Sequence, residues 1–167
     1  MKRIISLALV VMTLLCLALP VIADDEEEDY SPPELVNIGS ASVYCVEEDR
    51  FIYGLNEEKQ VYPTSTVKLM AAVIAVEELG NDLERRITVP VEAILSVQGN
   101  NIKLKRDEVL TVRELLYALI CGGANDAANV LAFEISGSVE EFVKKMNEKA
   151  KEIGAVNTNY MNVSGIH

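Results

Sequence analysis

The chain carries a single histidine, His167, at its last position. A Ser-His-Asp triad or a histidine-based metal site therefore has no place within it. Cysteine is scarce too. Cys16, Cys45 and Cys121 are the only three in 167 residues, too few for a disulfide framework. Cys45 and Cys121 lie in apolar stretches, which predicts buried, unpaired thiols. Positive charge is also short: 15 Lys and Arg face 26 Asp and Glu, for a formal net charge of −11. Such a chain is a poor binder of phosphate backbones, so nucleic acid is not an expected partner. Anionic lipid surfaces are disfavoured for the same reason. No internal repeat is visible.

The longest apolar run, residues 4–19, falls short of the roughly 20 residues that span a bilayer, and Pro20 interrupts its end. Lys2 and Arg3 precede it and Val21-Ile22-Ala23 follow. Residues 1–23 therefore read as a cleaved secretory signal peptide, which implies export. Leu15 precedes Cys16 where a lipoprotein signal needs a small residue, so Cys16 is not taken as a lipidation site. No membrane anchor is visible in the chain. Loss of Lys2 and Arg3 takes the formal charge from −11 to −13. "DDEEED" (24–29), followed by Ser31-Pro32-Pro33, reads as a disordered, solvated spacer over 24–33. The remainder, 34–167, suits one domain.

"ASVYCV" (41–46) and "FIYG" (51–54), separated by charged residues, predict a β-hairpin with its turn at 47–50. Residues 66–79 are apolar on nearly every side, which predicts a buried helix. Gly80 stands where a left-handed C-cap would stop it. "ITV" (87–89) before Pro90 predicts a short extended piece, with 91–110 irregular. Thr111 and Glu114 form a capping-box pair ahead of "LLYALIC", as do Ser138 and Glu141 ahead of the last helix. Between them a helix runs from about Asp126 to Ile135, near Gly137. The last helix runs to about Ile153, with Gly154 as its stop. A single hairpin cannot bury the face of a central helix, so the pattern implies further strands that this chain does not supply.

Chemistry concentrates in "PTSTVKLMAA" (63–72). Ser65 and Lys68 are three residues apart, hence on one helix face. A serine hydroxyl is a weak nucleophile without a base. A lysine taken out of water loses the solvation that favours its charge, so its pKa falls and it can accept the serine proton. A helix N-terminus adds positive potential and free N–H groups beside the hydroxyl. The plainer reading keeps Ser65 as an N-cap and lets Lys68 snorkel to the surface. A second stretch, "GGANDAANVLA" (122–132), puts Asn125 at a glycine-rich junction between two helices. There it can donate to a substrate amide and accept from Lys68, or it and Asp126 can simply cap the helix that follows.

Taken together, "YPTSTVKLMAA", "NNIKLKRDEVLTVRELLYALICGGANDAANVLA" and "NTNYMNVSGIH" resemble, in order, segments of the penicillin-recognising D-alanyl-D-alanine carboxypeptidases (low-molecular-weight penicillin-binding proteins, serine peptidase family S11). The resemblance runs over about 35–167. It implies an α+β fold of the β-lactamase/transpeptidase type, an antiparallel sheet flanked by helices with a helical subdomain. It implies a bacterial cell-envelope enzyme that removes terminal D-alanine from peptidoglycan stem peptides, is acylated by β-lactams and needs no metal or organic cofactor. Ser65 would be the nucleophile, Lys68 the general base, and Asn125 the Asn of the family's Ser-x-Asn motif. Gly123 takes the place of that motif's serine and brings no hydroxyl. The family's Lys-Thr-Gly strand does not occur in the chain, so 34–167 corresponds to the N-terminal part of such a domain, ahead of the later strands. Two alternatives stand beside this reading. One is a class A-like β-lactamase. The other is a non-catalytic cell-wall-binding protein on the same scaffold, which Gly123 motivates.

Overall fold

The computed structural model describes residues 38–95 and 97–166. The expected signal peptide, Cys16, the acidic spacer and His167 lie outside them. Two units are distinct, the first ending at Glu57 and the second running over Glu58–His167. Among the described residues no helix is long and apolar enough to cross a membrane.

The first unit contributes the hairpin that alternation predicts. Strand β1 (Ala41–Cys45) pairs antiparallel with β2 (Arg50–Leu55). Ala41 faces Leu55 and Val43 faces Tyr53, but Tyr44 faces Phe51, so Ile52 is the extra residue of a bulge. The turn falls at 46–49, one residue earlier than the charge pattern suggests. Asp49 adopts φ +51° there, a conformation Asp tolerates better than most residues. Tyr44 packs edge-on against Phe51 at 5.1 Å between ring centres. Cys45 is half-buried rather than buried, and it is unpaired.

The second unit is mostly helical. A 3-10 turn (Thr64–Thr66) leads into α1 (Val67–Leu79). Strand β3 (Arg86–Thr88) pairs antiparallel with β4 (Val109–Thr111), Ile87 opposite Leu110. A single turn of helix, α2 (Val91–Ile94), lies between them, so 91–110 is less irregular than its composition suggests. Three helices follow: α3 (Val112–Ile120), α4 (Asn125–Ser136) and α5 (Val139–Glu152). The fold is α+β with antiparallel pairing in both sheets.

Helix α4 is the buried element. Asn125, Asp126, Ala127, Ala128, Val130, Leu131 and Ala132 are all inside, and its alanines let α1, α2, α3 and α5 pack close. Helix α1 is not buried all round, contrary to the prediction. Met70, Ala71, Ile74, Ala75 and Leu79 face the core, while Leu69, Val73 and Val76 form an exposed stripe. Gly80 does not end α1 in the left-handed region. Its φ of −66° continues the chain into a second 3-10 turn, Gly80–Asp82. The core is closed by Leu115 and Leu119 of α3 and Phe142 and Met146 of α5. Burying such a side chain contributes about 1.5–3 kcal/mol. The ion pairs that join α5 to α1, Lys145–Glu78 and Lys149–Glu77, leave both glutamates open to water, and such screened pairs contribute little beside that. The apolar interior therefore decides how α1 sits against α5.

The capping signals read unevenly. Thr111 accepts from the Glu114 N–H while Glu114 reaches back to the Thr111 N–H, a complete box. Ser138 accepts from the Glu141 N–H, but the Glu141 carboxylate is taken by Lys144, so only half of that box forms. Gly137 and Gly154, at φ +77° and +85°, end α4 and α5 as their positions predict.

Candidate active site

Pro63 opens the 3-10 turn, and Thr64 follows at φ +49°. A β-branched residue in the left-handed region is strained, a cost of about 1–2 kcal/mol. The turn presents Ser65 to solvent just ahead of α1. Thr66, not Ser65, is the N-cap of α1, and it makes no side-chain cap bond. The Ser65 hydroxyl is thus not consumed in capping, which removes the plainer reading of this residue. Its partner is Lys68, whose Nζ lies 3.3 Å from Ser65 Oγ.

Lys68 does not snorkel. It is only 4% exposed although it sits in the first turn of α1. Burial pushes its ammonium below the ordinary lysine value of 10.5, because the charged form loses its water. Its second contact is the backbone carbonyl of Ser164, 2.8 Å from Nζ and 96 positions away in sequence.

Asn125 is the first residue of α4, buried at 4% exposure. Its side chain does not meet Lys68 as expected. Nδ2 donates to the Gln98 carbonyl at 2.7 Å, and the backbone N–H donates to the Asn100 carbonyl at 2.8 Å. Lys68 instead spends its proton on the Ser164 carbonyl. Asn125 Oδ1 is buried with no hydrogen-bond partner among the described residues, an acceptor left open. Nor does Asn125 cap the helix, since Ala124 is the N-cap. Asp126 does the local anchoring. Its carboxylate accepts from the N–H groups of Ile102, Leu104 and Ala127, tying the 98–104 loop to the start of α4.

Gly123 stands at φ +61°. A Cβ there would come 3.2 Å from Asn100 Nδ2. The missing hydroxyl is therefore matched by a backbone that would strain any side chain. Gly123 lines a pocket of about 260 Å³ together with Ser65, Thr66, Lys68, Leu69, Leu119 and Ile120. The structure thus brings Ser65, Lys68 and Gly123 to one cleft and keeps the Asn125 amide on the 98–100 loop. Cys121, two residues before Gly123, is exposed and unpaired, not buried.

Sequence reasoning did not pick out Ser164, Gln98, Asn100 or the anchoring role of Asp126. Ser164 and Gln98 act through backbone carbonyls, which leave no residue-type signal. Asp126 carried one, an acid beside Asn125 at the head of an alanine-rich helix.

The family of D-alanyl-D-alanine carboxypeptidases, peptidase S11, matches residues 28–167. The D-alanyl-D-alanine carboxypeptidase DacF of Bacillus subtilis is 34% identical over 171 residues, a match that takes in 99% of this chain and 43% of that protein. Among solved structures, the D-alanyl-D-alanine carboxypeptidase DacD of Francisella tularensis superposes with a TM-score of 0.76 at 25% identity, over 83% of this chain and 34% of that one. Penicillin-binding protein D2 of Listeria monocytogenes, in its ampicillin-bound form, gives 0.69 at 27% identity, over 82% and 55%. The fold is that of the penicillin-binding proteins. Within that class, the chain belongs to the D-alanyl-D-alanine carboxypeptidase family, S11. It spans less than half the length of the Bacillus relative.

Proposed function

We propose that this chain carries the nucleophilic half of an exported serine D-Ala-D-Ala carboxypeptidase, with residues 1–23 as signal peptide and 24–33 as spacer. The observation that carries the reading is the buried Lys68 amine 3.3 Å from Ser65 Oγ. Ser65 Oγ attacks the carbonyl carbon of the terminal D-Ala-D-Ala bond of a peptidoglycan stem peptide. Its proton passes to the neutral Lys68 amine, which becomes an ammonium. The Ser65 N–H, at the helix entrance, stabilises the oxyanion. The intermediate collapses when the C–N bond breaks and D-alanine leaves with a proton returned from Lys68. Water then attacks the acyl group and frees Ser65. Gly123 supplies no hydroxyl for these transfers, so they run directly or through water. Asn125 Oδ1, an open buried acceptor, suits a substrate N–H. β-Lactams acylate the same serine, a reading supported by the ampicillin complex of the Listeria relative.

The test is intact-protein mass spectrometry after incubation with benzylpenicillin. The expected result is one stable penicilloyl adduct, mapped to Ser65 and absent from Ser65→Ala. An unmodified Ser65 at saturating penicillin overturns the reading. Gly123 favours a second reading, a non-catalytic cell-wall binder, and that reading gains if Ser65→Ala leaves the cellular phenotype unchanged.

A further inference from the structure

The last described loop, residues 157–166, reaches Lys68 and the residue just before Ser65. The Ser164 carbonyl accepts from Lys68 Nζ at 2.8 Å. The next residue, Gly165, is pressed against the residue that precedes Ser65. A Cβ on Gly165 would lie 1.9 Å from the Thr64 carbonyl oxygen, and its φ is +78°. Only glycine fits there.

One side chain holds this turn in shape. Asn162 Oδ1 accepts from the N–H groups of Ser164 at 3.1 Å and Gly165 at 2.6 Å, and from Ser164 Oγ at 3.4 Å. Asn162 Nδ2 donates to the Ile166 carbonyl at 2.7 Å. The turn is moored at two further points. Val163 is buried at 2% exposure, and Asn147 of α5 bonds both the N–H and the carbonyl of Tyr160, at 2.7 and 2.9 Å.

A neutral amine has two N–H groups and one lone pair. With one N–H given to the Ser164 carbonyl, one tetrahedral position on Nζ is committed. Ser65 Oγ, 3.3 Å from the same nitrogen, then faces a choice of only two remaining positions, one of which carries the lone pair. We infer that Asn162 is a positioning residue for the Ser65–Lys68 pair: it fixes the Ser164 carbonyl, which in turn orients the Lys68 amine toward Ser65. The inference rests on Ser65 being the acylated residue. Asn162 touches neither substrate nor the reacting atoms. Its effect falls on the bond-forming step and not on ligand affinity.

The experiment measures acylation of the intact protein by a fluorescent penicillin in stopped flow, separating the dissociation constant of the encounter complex from the bond-forming rate constant. Misplacement of a reacting group by about 1 Å costs up to about 100-fold. Asn162→Ala is therefore expected to lower the bond-forming constant about 10- to 100-fold and to leave the dissociation constant within about twofold. Asn162→Asp keeps an acceptor for the Ser164 and Gly165 N–H groups and is expected to recover most of the rate. Asn147→Ala loosens the turn from α5 and should lose a smaller factor at the same step. It carries the test should Asn162→Ala not fold. Wild-type bond formation in both alanine variants, a loss confined to the dissociation constant, or no recovery with aspartate overturns the positioning role while the acyl-serine reading stands. No adduct on the wild-type protein overturns both.

Discussion

A lysine amine takes a proton only when it is neutral, and burial moves Lys68 toward that form. The sign of the pH dependence follows. An unfolded chain holds the Lys68 proton up to about 10.5, whereas the folded chain releases it at a lower pH. Between the two values the unfolded state binds more protons, so this residue makes stability rise with pH across that window. Below the folded value a buried ammonium burdens the native state throughout. Acylation is expected to follow the neutral fraction, with its midpoint below 10.5. Lys68→Met is expected to flatten this part of the stability profile, measured by thermal melting against pH, and to lower acylation about 100- to 10,000-fold, the usual worth of a positioned base. An acylation midpoint at or above 10.5 would contradict the burial argument. Ser65 and Lys68 were legible from sequence because their relation is local, one helical turn. The acceptor that completes the Lys68 environment was not, because it is a main-chain oxygen of a distant loop.

Among the elements, α3 shows how far local chemistry reaches. Its complete capping box holds the Glu114 carboxyl below its ordinary value of 4.5, first through the Thr111 N–H and then through the Thr111 hydroxyl. That contribution is present above 4.5 and is lost as pH falls through the lowered folded value. Thr111→Ala is expected to cost about 1 kcal/mol in urea unfolding at neutral pH. It should also soften the acid loss without removing it, because the backbone N–H stays. An unchanged midpoint would show that the box adds nothing. The same signature at Ser138 is only half realised, because Lys144, one turn along α5, competes for the Glu141 carboxylate. Gly80 illustrates a different limit. A glycine after an apolar run permits a left-handed stop but does not require one, and here the chain tightens into a 3-10 turn. Gly137 and Gly154 take the positive φ their positions offer.

For the molecule as a whole, hydrophobic pattern placed the hairpin and the helices, the class of architecture came from the resemblance, and the pattern misplaced part of the interior. Residues 67–79 looked buried because valine and leucine occur on every side, yet Leu69, Val73 and Val76 are 46–58% exposed. The better sign of the central helix was the alanine content of α4, whose small side chains admit neighbours on all sides. Ile120 and Tyr117 of α3 are exposed as well. Apolar surface of this kind promotes association. The chain as given is expected to bind a fluorescent apolar dye such as ANS. Val73→Lys with Val76→Lys is expected to reduce that fluorescence at a stability change within about 0.5 kcal/mol per site, as for surface positions. Undiminished dye binding would place the sticky surface elsewhere.

The 96-residue separation between Lys68 and Ser164 also has a meaning in time. A polypeptide is made from its N-terminus, so Ser65 and Lys68 leave the ribosome long before the loop that carries the Ser164 carbonyl. Until that loop docks, Lys68 lacks its Ser164 acceptor. The order of synthesis therefore sets a delay: the surroundings of Lys68 are complete only after the 157–166 loop has been made and has packed against it.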